Sequence, residues 1–143
     1  MKVSTKGQYG IRAMFDLANQ YEQGPVPINR VAAHQGVSVA YLEQLFAVLR
    51  KAGLVNSVRG AQGGFELAKL PKDITLGEIL RALEGEMAPV KCVTGGTTCE
   101  KSGTCPSQYI WQRLNDKVNA ATDSITLQNM LEEYQATQTN ENL

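Results

Sequence analysis

The 143-residue sequence predicts a mainly α-helical protein with a small β-hairpin, arranged as a winged helix-turn-helix followed by a long helix. Three observations predict it. Two amphipathic helical patterns meet at the short turn Gly36-Val37-Ser38. Two strand patterns follow at once across a glycine-containing turn. A further helical stripe nearer the C-terminus has no apolar partner close by in sequence.

The first helix is expected over residues 8–21, where Ile11, Met14, Phe15 and Ala18 repeat at the spacing of one apolar face. The Pro- and Gly-punctuated GPVP at 24–27 stops it as a loop. A second helix begins near Pro27–Ile28, turns Ile28, Val31 and Ala32 inward, and ends at Gly36, a residue that accepts a left-handed backbone. In the third, Ser38 is the expected N-cap, Leu42, Leu45, Phe46 and Leu49 form the stripe, and Gly53 closes it. An ordinary helical hairpin shares this pattern. The residues after Gly53 favour the wing: LVNSVRG reads as a strand, AQGG as a turn and FELAK as the returning strand.

Beyond residue 70 the chain changes character. Thr75-Leu76-Gly77-Glu78 is a capping box, with Ile79, Leu80 and Leu83 behind it. Residues 86–104 are a Gly/Thr/Ser-rich loop. A helix over 106–122 carries Trp111, Leu114, Val118 and Ala121 on one stripe, broadened by Ile110. With no short-range partner, it is expected to pair between chains. A last short helix spans 126–134, and QATQTNENL reads as a disordered tail. The expected organisation is a winged helix-turn-helix DNA-binding domain at 1–70 and a linking helix with the cysteine loop at 71–105. A dimerisation helix and a short C-terminal helix occupy 106–134, and the tail 135–143.

Composition narrows function. Net charge is zero, yet residues 1–69 hold eight Lys/Arg against four Asp/Glu, a balance of +4 that the remainder reverses. A basic first half suggests contact with a polyanion, double-stranded DNA in a winged helix. Arg59, beside Gly60 on the hairpin loop, suits a narrow minor groove. With no long apolar run and no signal-peptide pattern, a cytoplasmic protein with no membrane role is expected. No Walker loop, Rossmann fingerprint, nucleophile elbow or C-x-x-C pair is present, so no enzyme is expected.

All three cysteines, Cys92, Cys99 and Cys105, fall in the loop. An odd count argues against a disulfide framework. Clustered free thiols point instead to metal, cluster or redox chemistry. The spacings of six and five intervening residues are too wide for structural zinc knuckles. Gly95, Gly96 and Gly103 let a short loop wrap a small inorganic core.

Several stretches in order, STKGQYGIRAM, GPVPINRVA, GVSVAYLEQLFAVLRKAGLVNSVRGAQGGFELAK, TLGEILRALEG and the three-cysteine loop, resemble the Rrf-type bacterial transcription regulators, the iron–sulfur cluster regulators in particular. The likeness spans residues 1–130. It implies a homodimer with a [2Fe-2S] cluster held by Cys92, Cys99 and Cys105, which represses cluster-assembly genes when loaded and has cluster-assembly proteins as further partners. It places Ser38, Ala40, Tyr41, Glu43 and Gln44 on the DNA-facing side of the recognition helix and Arg59 on the wing. Better-known members supply a fourth ligand as a histidine shortly after the last cysteine, where this chain reads Cys105-Pro106-Ser107-Gln108. Gln108, Glu100, a water or small thiol, His34 and a residue of the partner subunit all stay open for that position. A regulator sensing oxidation or nitric oxide through bare thiols, or holding zinc, is the alternative.

Overall fold

The structure is a computed structural model and describes residues 2–85 and 106–141. Chain order is α1 (Thr5–Asn19), α2 (Ile28–Gln35), α3 (Val39–Lys51), β1 (Val55–Val58), β2 (Gly64–Leu67), a 3₁₀ turn (Pro71–Asp73), α4 (Leu76–Glu84), α5 (Gln108–Ser124) and α6 (Leu127–Glu141).

Helix α1 starts three residues before its expected position because Ser4 caps it, its Oγ accepting the Gly7 N–H at 3.2 Å. Its inner face is Ala13, Met14, Leu17 and Ala18, with Ile11 and Phe15 at the margin. α2 closes on Gly36 in the left-handed conformation, and Ser38 caps α3. Leu42, Leu45, Phe46 and Leu49 are all buried, as their spacing requires.

The wing is a two-stranded antiparallel ladder pairing Val55 with Leu67 and Val58 with Gly64. A contact not expected from sequence braces it. Val26, in the segment read as a loop, exchanges hydrogen bonds with Phe65 at 2.8 and 2.9 Å. Gly64 makes this possible: its φ is +153°, and a Cβ there would strike the Val26 carbonyl. Phe65 also stacks on Phe46, ring centroids 4.4 Å apart, so the wing and α3 share one core.

The Thr75/Glu78 capping box forms as expected, each residue's side chain accepting the other's backbone N–H. α6 departs from expectation. It runs to Glu141, through most of the segment read as a disordered tail. Thr126 and Asn129 cap its start reciprocally, Leu127 and Leu131 enter the core, and Tyr134 meets Phe15 edge-on at 5.1 Å. Once two turns are anchored, adding further residues to a helix requires little, so a polar sequence continues it. α6 therefore packs on α1, joining the N-terminal body rather than α5.

α5 lies against α4, where Arg81 pairs with Asp123 at 2.6 Å. Its face turned to the rest of the chain only partly overlaps the stripe expected to pair between chains. Asn115 is buried, with Trp111 and Val118 half-buried beside it, while Leu114 and Ala121 face outward. Tyr109, Ile110 and Leu114 are 78%, 62% and 42% exposed.

Substituting Gly64→Ala should destabilise the protein by about 2 kcal/mol, through backbone strain and the Val26 clash. Urea denaturation of the variant against wild type measures it. Wild-type stability would show that the Val26–Phe65 brace does not need the glycine.

Candidate nucleic-acid interface

Burying one face of α3 dictates the other. With Leu42, Leu45, Phe46 and Leu49 inward, Ala40, Glu43, Gln44 and Ala47 stand at i, i+3, i+4, i+7 on the exposed side. The structure thus brings together the residues singled out on this helix: Ala40, Glu43 and Gln44 share one exposed stripe, with Ser38 at its N-terminal end. Ser38 Oγ accepts the Tyr41 N–H at 3.1 Å. Ala47 lengthens the stripe and was not singled out, although the same periodicity points to it. A methyl at that place keeps the helix slim where it would approach a base edge.

Tyr41 is half-buried rather than fully outward. Its ring meets Tyr9 of α1 edge-to-face, centroids 6.0 Å apart at 88°, and the Arg12 guanidinium lies 5.3 Å from the Tyr9 ring centre. Tyr9 therefore backs the recognition helix, with Arg12 over its ring. Sequence pattern missed both, because an aromatic residue off the main apolar stripe reads as surface.

Arg59 is exposed at the start of the wing loop 59–63, which a Gly63 N–H to Gly60 carbonyl bond closes at 3.0 Å. Among the described residues, no ion pair engages Arg59 or Glu43. Both charges are thus available to a ligand: Arg59 to phosphate or a minor groove, Glu43 to a base amino donor.

Cys92, Cys99, Cys105 and Glu100 lie outside the described residues, in the segment joining α4 to α5. As a donor set, three thiolates suit an iron–sulfur cluster, which takes mainly cysteine ligands. Among the described residues no group of three or more His, Cys, Asp or Glu could hold a metal. His34 has a structural contact through one of its two ring nitrogens. Its Nδ1 sits 2.9 and 3.0 Å from the carboxylate oxygens of Asp16, which also accepts the Gln35 amide at 2.8 Å. Asp16 is 9% exposed, so this contact satisfies a buried carboxylate and ties α2 to α1. Gln108 is the first residue of α5. No described helix is long and apolar enough to cross a membrane.

Comparison with known proteins agrees with this geometry. Residues 3–133 match the model of the Rrf2 family, described as an iron-dependent transcriptional regulator. The chain is 39% identical over 127 residues to the HTH-type transcriptional regulator IscR of Aliivibrio salmonicida, covering 89% of this chain and 75% of that protein. IscR of Escherichia coli gives the same identity with 78% of its length covered. Among solved structures, T. potens IscR superposes with a TM-score of 0.80 at 46% identity, covering 96% of this chain and 91% of that one. CymR, the global cysteine regulator of B. subtilis, also gives 0.80, at 40% identity with 93% and 98% covered. The chain belongs to the Rrf2 family and is a DNA-binding transcription regulator of winged-helix fold, not an enzyme.

Removing the α3 cap by Ser38→Ala should lower stability by about 1 kcal/mol, the usual worth of an N-cap hydroxyl. A thermal melt compared with wild type reads the change. An unshifted melt would mean that the first turn of α3 is held by packing alone.

Proposed function

We propose that this regulator senses iron–sulfur clusters by binding one, a [2Fe-2S] cluster, and represses cluster-assembly genes when loaded. The observation that carries the reading is the placement of all three cysteines within residues 92–105, between the helix packed on the DNA-binding core and the long helix α5. Cys92, Cys99 and Cys105 would supply three thiolates. For the fourth ligand Gln108, Glu100 and His34 all stay candidates, since the hydrogen bond of His34 Nδ1 to Asp16 leaves its Nε2 for ligation. Bound there, the cluster would supply an oxidant-sensitive inorganic core whose presence or loss is the signal.

The chain's own residues do the rest. Gln44 suits an adenine edge, Glu43 a cytosine amino group, and Ser38 and Tyr41 a phosphate. Ala40 keeps the start of α3 slim, and Arg59 would contact the minor groove from the wing. The outward Tyr109, Ile110 and Leu114 of α5 favour a second copy of this chain as partner. A two-fold dimer reads two half-sites of a pseudo-palindromic operator. If one class of operator is held only by the liganded form, loss of ligation changes which promoters are occupied. Cluster-assembly proteins, as the source of the cluster, are the further partners this reading implies.

Glutamine at 108, where better-known members of the resembled regulators supply a histidine, favours a second reading: bare thiols or a zinc site that answers to oxidation or nitric oxide. Anaerobic purification separates the two. The cluster reading expects a red-brown protein with about two irons and two sulfides per chain, and Cys92→Ala should lose the colour. A wild type that stays colourless after reconstitution, or that holds zinc, would overturn it.

At the DNA surface, Glu43→Ala should broaden the set of sites recovered from a random pool. A carboxylate facing phosphate is tolerated only where a base donor satisfies it, so it selects partly by exclusion. Unchanged site selectivity would remove Glu43 from base readout.

A further inference from the structure

Glycine within a helix is unfavourable by about 1 kcal/mol relative to alanine, and α1 carries two, Gly7 and Gly10, both buried. Each faces the last turn of α4. A Cβ on Gly7 would strike the Glu84 carboxylate, and one on Gly10 would strike the Leu83 side chain. The two glycines therefore admit α4 to a closer approach than any other residue would allow.

The close approach places one particular group. Glu84 Oε1 accepts the backbone N–H of Ser4 at 2.7 Å and also the Ser4 hydroxyl. Ser4 is the N-cap of α1, so the carboxylate sits at the positive end of that helix dipole. For its own helix the residue is badly placed, since a negative charge on the last residue of α4 opposes the dipole there. Glu84 thus serves α1 rather than α4.

Its neighbours in the chain and in space give this contact a consequence. Gly85 ends α4, and Cys92 lies eight residues beyond Glu84. In the other direction, about one and a half turns along α1 from Ser4, Tyr9 meets Tyr41 on the recognition helix. A short rigid helix therefore connects the root of the cysteine-bearing segment to the DNA-facing element.

We propose that Glu84 is a positioning residue through which the state of the cysteine segment reaches the recognition helix. The contact with Ser4 is the bistable element: made, it fixes the first turn of α1 and the Tyr9–Tyr41 packing; broken, it releases both. The inference rests on the proposed roles of α3 in DNA binding and of the cysteines in sensing. It differs from them in naming the residue that couples the two.

Two measurements test it, on the full chain. The first is amide hydrogen exchange without DNA. Glu84→Ala should speed exchange about tenfold, as expected for losing one charge-assisted hydrogen bond, both in residues 5–8 and in residues 39–43. A merely local cap would move residues 5–8 alone, and that result overturns the proposal. Glu84→Gln, which keeps an accepting oxygen but loses the charge, should give a smaller rise in the same two segments and serves if the alanine variant does not fold. A rise confined to residues 5–8 overturns the proposal in either variant.

The second is the ratio of DNA affinities between cluster-loaded and chelator-stripped protein, on a site selected by wild type. Glu84→Ala should bring that ratio toward one with iron content and visible spectrum unchanged. A ratio equal to that of wild type overturns the proposal. Should wild type itself hold no cluster, or bind DNA equally in both forms, the sensing reading fails, and the exchange measurement alone decides whether Glu84 couples to α3.

Discussion

The stack of Phe46 on Phe65 is the contact on which the DNA-facing geometry depends. Phe46 lies at the centre of the buried face of α3, and Phe65 is the residue of β2 that also hydrogen-bonds Val26. One ring pair therefore fixes three things together: the rotation of α3 about its axis, the height of the wing, and the path of the chain between α1 and α2. The rotation matters most. A helix turns 100° per residue, so burying Phe46 commits Ala40, Glu43 and Gln44 to the opposite side. Interface residues make few contacts of their own and take their orientation from the core beneath them.

Most of this was legible in the sequence, for a definite reason. The helices of the first half are short and strongly periodic, and residues such as Ser38, Gly36 and Thr75 carry their cap chemistry locally. Where packing is long-range the reading failed. Val26 gave no strand signal because its partner, Phe65, lies 39 positions away. On α5 the stripe was read as pairing between chains, and the side turned to α4 went unread: Asn115 is buried, and no periodicity rule would choose an asparagine. The polar end of α6 reads as tail by composition, yet its helix is anchored by Leu127, Leu131 and Tyr134 upstream.

The interface divides the same way. Spacing alone identifies the exposed stripe of α3, and a likeness to relatives marks which of its members to weigh. Tyr9, which backs Tyr41 from α1, and Arg12 over the Tyr9 ring needed the fold, because nothing in GQYGIR announces an aromatic contact with another helix. His34 shows the converse. As the lone histidine of the chain it stood among the candidate cluster ligands, and its Nδ1 proves to be occupied with the buried Asp16. That contact orients the ring, leaves Nε2 as its other donor atom and ties α2 to α1, and sequence does not contain that information.

Similarity to IscR and to CymR at the same TM-score carries its own lesson. A backbone that superposes equally well on T. potens IscR and on the cysteine regulator CymR does not encode the signal. The signal must reside in what the shared scaffold leaves variable: the cysteines between α4 and α5, and the contacts by which that segment grips the rest. Here the grip is made by α4, whose last turn is pressed into the glycine notch of α1. A helix of ordinary composition at residues 7 and 10 would hold α4 further away and leave Glu84 without Ser4. Two residues that weaken α1 as a helix are thus what bring its neighbour into contact. Under the proposed coupling, the recognition helix and the thiol-bearing segment communicate only as well as that notch allows.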